Sequence, residues 1–323
     1  MTVRPVLYRA EKCLIIDAWH FRVHFPQGTG CVVSANQFSM LHTAKELLND
    51  ARKKHYAVPG FNCVADIMIR GILDRVEHLR SPVFLMLYPG EIDDKTWWYY
   101  PVIIRAVAER YTIPIVMHLD HATDLDVIRA ALDNGFTSVM YDGSSLPFDK
   151  NVEMTRKTVE IAQPYGASVE AELGRVGGFG LAADVHVANI LTQPDEVVKF
   201  VERTGVDSLA VSIGTAHGVY LQLPKLDIPL LKELNAASKV PLVLHGGSGT
   251  PDDQMRAAVE NGICKFNVYT DLRAAMWNRF KQVAVEIKRD EPPPGEYISR
   301  LQEALGDVVE AKTRLAGAVQ HAV

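Results

Sequence analysis

Three histidines stand where apolar runs stop. In Pro114-Ile-Val-Met-His-Leu-Asp-His-Ala-Thr123 a β-branched run ends in two histidines around Asp120. Val211-Ser-Ile-Gly-Thr-Ala-His217-Gly and Leu242-Val-Leu-His245-Gly-Gly-Ser-Gly repeat the plan. Neutral imidazoles are zinc ligands, and His121, His217 and His245 with one open position describe a catalytic zinc site. An aspartate beside such a site suits acid–base work. Taken singly, each histidine also reads as a hydrogen-bonded core or rim residue. Three at matching positions, two of them followed by a glycine that lets a ligand approach, are hard to obtain by packing alone. Strand alternation puts His118 and Asp120 on one face, with His121 stepping off the strand end.

Further polar groups gather at similar places. His245-Gly246-Gly247-Ser248-Gly-Thr-Pro251 leads into a helix, so its backbone N–H groups and the Ser248 hydroxyl form an anion cradle near a helix N-terminus. Asn267 and Thr270 end the next apolar run and complete that cradle; the alternative is a plain glycine-rich turn. Glu170 and Glu172 share one strand face and, with Asp142, bring carboxylates to the same rim. They read equally well as salt-bridged interior residues.

The elements that must carry these groups alternate along the chain. Apolar strands are expected at 58–62, 82–87, 114–121, 137–142, 167–174, 208–214, 241–245 and 263–269, each followed by a helical pattern. Eight such units in about 250 residues predict an α/β chain folded as a (β/α)8 TIM barrel. An open doubly wound sheet is the runner-up, but it would concentrate polar chemistry at one switch point instead of spreading it over many strand tips. Thr43 is the expected N-cap of an opening helix, and Ile67, Ile69, Ile72 and Leu73 the inward face of the next. Helices are expected from about Trp97 to Arg110 and from Thr270 to about Arg289. Glu291-Pro-Pro-Pro-Gly295 breaks the latter, and an additional C-terminal helix over Ile298–Val319 is expected to pack outside the barrel or on a partner subunit. The connection from Arg175 to about Pro194 opens on Gly177-Gly-Phe-Gly180 and is the candidate mobile lid.

Residues 1–39 show neither period and are expected to be an irregular extension ahead of a single barrel domain over 40–323, with Met40 an alternative start. Cys13, His20, His24 and Cys31 match no familiar finger spacing, so no zinc site is assigned to them. With 48% hydrophobic and 23% charged residues the chain can bury a large core. A net charge of -5, a pI near 6.1 and the lack of an apolar run of about 18 residues argue against nucleic-acid or membrane partners. The four scattered cysteines make a reducing cytoplasm the expected location.

Several stretches together carry a resemblance: His118-Leu-Asp-His121, Val169-Glu-Ala-Glu-Leu-Gly-Arg-Val-Gly-Gly178, the run from Gly205 to Tyr220, Pro241-Leu-Val-Leu-His-Gly-Gly-Ser248 and Lys265-Phe-Asn-Val-Tyr-Thr270. From Met40 to about Arg289 the chain resembles the class II, zinc-dependent ketose-bisphosphate aldolases, nearest their tagatose-bisphosphate branch. The resemblance implies that His121, His217 and His245 hold the catalytic Zn2+ and that Asp120 exchanges a proton with the hydroxyl of the cleaved carbon. It further implies that Gly218, Gly246, Ser248 and Thr270 hold the phosphate, with Gly247 in the same loop, and that Asn267 contacts the enediolate. Asp142 and Glu172 would lie at a secondary metal position, and a monovalent cation would sit on carbonyls near Ala216, Gly218 and Gly246.

The expected activity is reversible cleavage of a tagatose- or fructose-1,6-bisphosphate-like ketose to dihydroxyacetone phosphate and an aldehyde, by a homodimer or homotetramer. The chain also departs from the family. Phe179 and Gly180 stand where an acid is usual, the nearest acid being Asp184, and Leu221-Gln222 lacks a common lysine. Tyr88 replaces a serine or threonine, and Tyr269 an aspartate or small residue. The alternatives are therefore a sugar-phosphate-binding protein without turnover and an aldolase for a less phosphorylated sugar.

Overall fold

The computed structural model describes residues 41–91, 98–179, 186–218 and 223–322. The extension over 1–39, with Cys13 and Cys31, and the boundary at Met40 lie outside the described residues. Strands β1 (Val58–Asn62), β2 (Val83–Leu87), β3 (Ile115–Ala122), β4 (Ser138–Tyr141) and β5 (Ser168–Leu173) come first. Helices α1 (Ala44–Lys54), α2 (Asp66–Leu79), α3 (Tyr99–Ala108), α4 (Leu125–Asp133) and α5 (Phe148–Ala162) precede and separate them. Two short strands, β6 (Gly177–Phe179) and β7 (His186–Val187), lie in the connection to α6 (Pro194–Thr204). Then follow β8 (Ser208–Val211), β9 (Ala216–His217), α7 (Ile228–Ala237), β10 (Leu242–Leu244), α8 (Asp252–Glu260), β11 (Ile263–Val268), α9 (Thr270–Glu286) and α10 (Pro294–Leu315).

Eight of the strands close a parallel barrel in the order β1-β2-β3-β4-β5-β8-β10-β11. Closure is visible at Gly60, which pairs with Phe84 of β2 on one side and with Asn267 of β11 on the other. An open sheet has two unpaired edges, so the doubly wound alternative is excluded. The strands have both faces covered, as parallel sheets require, and all five residues of β2 are fully buried. Burying each such Leu, Val, Phe or Met contributes about 1.5–3 kcal/mol.

Local chemistry sets the helix starts. Thr43 and Glu46 form a reciprocal capping box on α1, each side chain accepting from the other's backbone N–H. Asp124 caps α4 through its bond from the Asp126 N–H at 2.8 Å. Met68, Ile69, Ile72, Leu73 and Val76 recur at helical spacing on the buried face of α2, whereas Ile67 is half-buried.

The C-terminal helix begins at Pro294, four residues ahead of the expected start. Proline is well placed in a first helical turn, where its missing N–H has no partner to lose, so the Pro-Pro-Pro run starts this helix, the previous one having already ended at Glu286. α10 packs on α2 and α9. The Ala57 N–H donates to Ala316 O at 2.9 Å, and Gln320 N–H to Leu79 O at 3.1 Å, so the chain end is tied to the barrel itself. Cys63 and Cys264 are free and buried. Among the described residues no helix is long and apolar enough to cross a membrane.

The expected lid is partly a sheet. β6 pairs antiparallel with β7 and parallel with β9, Gly178 lying opposite His217. Arg175 and Ile190 also exchange backbone hydrogen bonds at 2.7 and 2.9 Å. The glycines that suggested looseness serve close approach: a Cβ on Gly178, whose φ is +114°, would lie 2.2 Å from His217 O.

Candidate active site

The C-terminal ends of the barrel strands open into a cavity of about 410 Å³, lined by Asp120, His121, Asp142, Glu172, His217, Gly218, Gly246, Ser248, Asn267 and Thr270 among others. That is the end at which barrels of this kind build sites, because the strand-to-helix loops converge there. Two local irregularities bring the polar groups in. β3 changes register between Leu119 and Ala122, and His121 takes a left-handed backbone with φ +51°. The strand therefore continues through Ala122, and His121 lies within it instead of stepping off its end. Both Asp120 and His121 line the cavity, at a backbone cost of about 1–2 kcal/mol for the left-handed residue. His118 lies a layer deeper, fully buried, its Nδ1 2.7 Å from Ser138 Oγ. It takes no part in the rim.

One ring nitrogen from each of His121, His217 and His245 lies within 4.8 Å of the others. The orientation of each ring is fixed from behind. His121 Nδ1 is 2.8 Å from Asp142 Oδ2, and His245 Nε2 is 2.9 Å from Glu170 Oε1. A backbone hydrogen bond with Val176 engages the His217 ring. His217 Nε2, His245 Nδ1 and Glu172 Oε2 are buried without a hydrogen-bond partner. Buried polar atoms are almost always satisfied, so the two orphaned imidazole nitrogens, gathered with a His121 nitrogen within 4.8 Å, fit a divalent metal ion, while Glu172 Oε2 lies 3.5 Å from His245 Nδ1. His121, Asp142 and Glu172 form a second group within the same 4.8 Å limit. The cluster is thus compatible with metal binding at both expected positions.

Without metal, the charge in the cluster is uneven. Burial disfavours a proton on His121, but Asp120 and Asp142 overcome it and raise its pKa to about 10. Burial, then the neighbouring His121, lowers His217 to about 4 and His245 well below the usual histidine range. Burial and the Asp142 charge push Glu172 up to about 8. Asp120 is lowered despite its burial by His121, His245 and Lys265. Both of its oxygens are held, Oδ2 by Asn62 Nδ2 at 2.9 Å and Oδ1 by Asn267 Nδ2 at 3.0 Å.

Beneath His245 lies an ion pair. Lys265 Nζ contacts Glu170 Oε1 at 3.0 Å and Oε2 at 2.9 Å, and neither side chain is exposed. Glu170 therefore occupies the interior and supports His245, while Glu172, two residues on, is the one that reaches the cavity.

The glycine-rich turn after β10 is built as a cradle. Ser248 Oγ accepts from the N–H groups of Tyr269 and Asp271 at 3.1 and 3.2 Å, which leaves its hydroxyl hydrogen to donate into the cavity. Thr270 opens α9, whose N-terminus adds positive potential. Gly246 packs so closely on β9 that a Cβ would lie 2.4 Å from Ala216 O. The Gly247 N–H donates to Asn267 O at 3.0 Å, which ties the turn after β10 to the end of β11.

Tyr88 and Tyr269 both line the cavity. The Tyr88 ring meets His121 edge-on at 6.5 Å, and the Tyr269 hydroxyl donates to Glu91 while Arg273 lies 5.2 Å over its ring. Gly180, Asp184, Leu221, Gln222 and the Phe179 side chain lie outside the described residues. Sequence reasoning missed Asn62, Lys265, Glu91 and Arg175, the last of which lines the cavity with its guanidinium 3.4 and 3.5 Å from Ser144 O. For Asn62 and Lys265 a signal existed, since each is a polar residue in a strand that is buried at every position.

Comparison with known proteins gives one consistent result. The family model for fructose-bisphosphate aldolase class-II matches residues 42–321. The crystal structure of the YdjI aldolase from Escherichia coli K12 is similar with a TM-score of 0.78 and 32% identity, over 88% of this chain and 100% of that one. A fructose-bisphosphate aldolase from Campylobacter jejuni, at 23% identity and a TM-score of 0.74, covers 87% of this chain and 97% of its own and shares the fold.

Proposed function

Given that this chain belongs to the class II fructose-bisphosphate aldolase family and is an aldolase-type lyase acting on a phosphorylated sugar, we propose that it uses Zn2+ to cleave a tagatose- or fructose-1,6-bisphosphate-like ketose into dihydroxyacetone phosphate and an aldehyde. The observation that carries the reading is the set of orphaned atoms His217 Nε2 and His245 Nδ1, with His121 beside them and Asp120 clamped by two amides at their edge. His121, His217 and His245 would hold the metal, and Asp142 and Glu172 a second position. Bound there, the metal polarises the ketone and stabilises the negative charge left when the carbon–carbon bond breaks. Asp120 takes the proton from the hydroxyl of the cleaved carbon and returns it in synthesis. Its two amide contacts aim it without neutralising it. Asn267 faces the same cavity with an unpartnered, buried Oδ1, a free acceptor for a substrate hydroxyl. Gly246, Ser248 and Thr270, with Gly218, receive the phosphate.

A second reading, an aldolase for a less phosphorylated ketose, is favoured by Tyr88 and Tyr269 in the cavity wall with the Glu91 carboxylate at the Tyr269 hydroxyl, a poor setting for a second phosphate. Assembly as a homodimer or homotetramer is supported by α9, which exposes Trp277 and Phe280 as a stacked pair. The deciding experiment is hydrogen exchange. Zinc-loaded protein is incubated with dihydroxyacetone phosphate in deuterated water, and deuterium entering C3 is followed by NMR. Exchange supports aldolase chemistry whichever aldehyde is natural; bound ligand without exchange favours a binding protein or another donor.

A further inference from the structure

Asp271 is an unexpected residue beside an anion cradle. Its Oδ2 accepts the Gly249 N–H at 3.3 Å and its own N–H donates to Ser248 Oγ at 3.2 Å, so it ties the turn after β10 to the first turn of α9. That same carboxylate sets a negative charge next to the place where a phosphate would bind, and the helix N-terminus that attracts the phosphate is shared by both. A lysine 41 positions further on answers it. Lys312 lies in the last turn of α10, and its Nζ is 2.9 Å from Asp271 Oδ2 with only 11% of its side chain exposed. Lysines are rarely this buried unless paired, while Asp271, 28% exposed, keeps one side toward solvent.

We propose that Lys312 is a positioning residue for the phosphate end of the substrate, acting through Asp271: it cancels the carboxylate charge so that the Ser248 cradle can accept a dianion. The inference rests on the reading that Gly246, Ser248 and Thr270 hold that phosphate. It assigns a role in substrate affinity to the C-terminal helix, which otherwise packs outside the barrel. Charge and bracing make different predictions. A brace needs only a hydrogen-bond donor to Asp271, whereas charge cancellation needs a cation.

The test is calorimetric titration of the zinc-loaded enzyme with dihydroxyacetone phosphate, with phosphate-free dihydroxyacetone as the control ligand. Lys312→Met and Lys312→Gln are each expected to raise the Kd for the phosphate ester by about fivefold or more. The control ligand should shift less, and Lys312→Arg should bind close to wild type. In turnover the loss should fall on KM rather than kcat. The double variant Lys312→Met with Asp271→Asn removes both charges and should regain most of the affinity. Wild-type affinity in Lys312→Gln overturns the charge role, as does a double variant no better than Lys312→Met. Should Lys312→Met prove too unstable to purify, Lys312→Gln and the double variant carry the same comparison. If the wild-type enzyme binds no dihydroxyacetone phosphate, the phosphate reading itself falls and this proposal with it.

Discussion

Replacing Lys265 by methionine keeps the length of the side chain and removes its charge. In the native protein Lys265 Nζ bonds both oxygens of Glu170 at 2.9–3.0 Å and sits 5.3 Å from the Phe84 ring centroid, all in the barrel interior. After the substitution Glu170 keeps only His245 Nε2, with no solvent to turn to. Breaking a buried pair by removing one partner costs about 3–5 kcal/mol. For a barrel of this size that corresponds to a fall in Tm of roughly 6–10 °C. Adding Glu170→Gln removes the stranded charge, and the double variant should recover at least half of the loss. It should not recover metal binding. With a neutral amide behind His245, zinc affinity measured by chelator competition should drop by about 10–100-fold. A Lys265→Met protein that melts within about 2 °C of wild type would refute the reasoning, because Glu170 would then be satisfied without its cation.

Three further outcomes are expected. His217→Ala should lose bound zinc together with activity; stoichiometric zinc retained through dialysis would remove His217 from the ligand set. Asp120→Asn should keep zinc and dihydroxyacetone phosphate binding while kcat falls by about 10²–10⁴-fold, and a KM effect alone would argue against proton transfer by Asp120. The third concerns pH. A His121 pKa raised to about 10 gives metal-free protein a stabilisation that is full below about pH 6.5 and is lost as pH rises toward 10. Glu172, raised to about 8, has the same sign between about pH 4.5 and 8, since the unfolded chain ionises first. Melting temperatures of metal-free protein should therefore fall from pH 6 to 10, and fall less with zinc bound; a flat metal-free profile would contradict these shifts.

The barrel was legible because its strands are buried on both faces and read as continuous apolar runs bounded by turn residues. The site was legible in its residue types but not in its geometry. Nothing in His118-Leu-Asp-His121 announces that His121 takes a left-handed backbone, a conformation that accompanies the register change against β4. Glu170 and Glu172 alternate identically in sequence, and only the lysine reaching across from β11 separates the interior one from the cavity one. Gly177-Gly-Phe-Gly180 suggested freedom because glycine permits it, whereas Gly178 is glycine to let β6 pass His217. Pairings between distant segments, such as Lys312 with Asp271 across 41 positions, carry no local signature at all.

His217 differs from the other two histidines in how it is supported. His121 belongs to a barrel strand and His245 directly follows one, but His217 belongs to β9, whose strand neighbour is β6 of the long connection. Order in that connection and occupancy of the histidine cluster therefore draw on the same hydrogen bonds. With a metal in the histidine cluster as proposed, thermodynamic reciprocity requires that any substrate stabilising the β6–β9 pairing tightens the hold on the metal by the factor by which the metal tightens the hold on the substrate. At equilibrium a chelator would then extract less metal from the substrate-bound protein than from the free one.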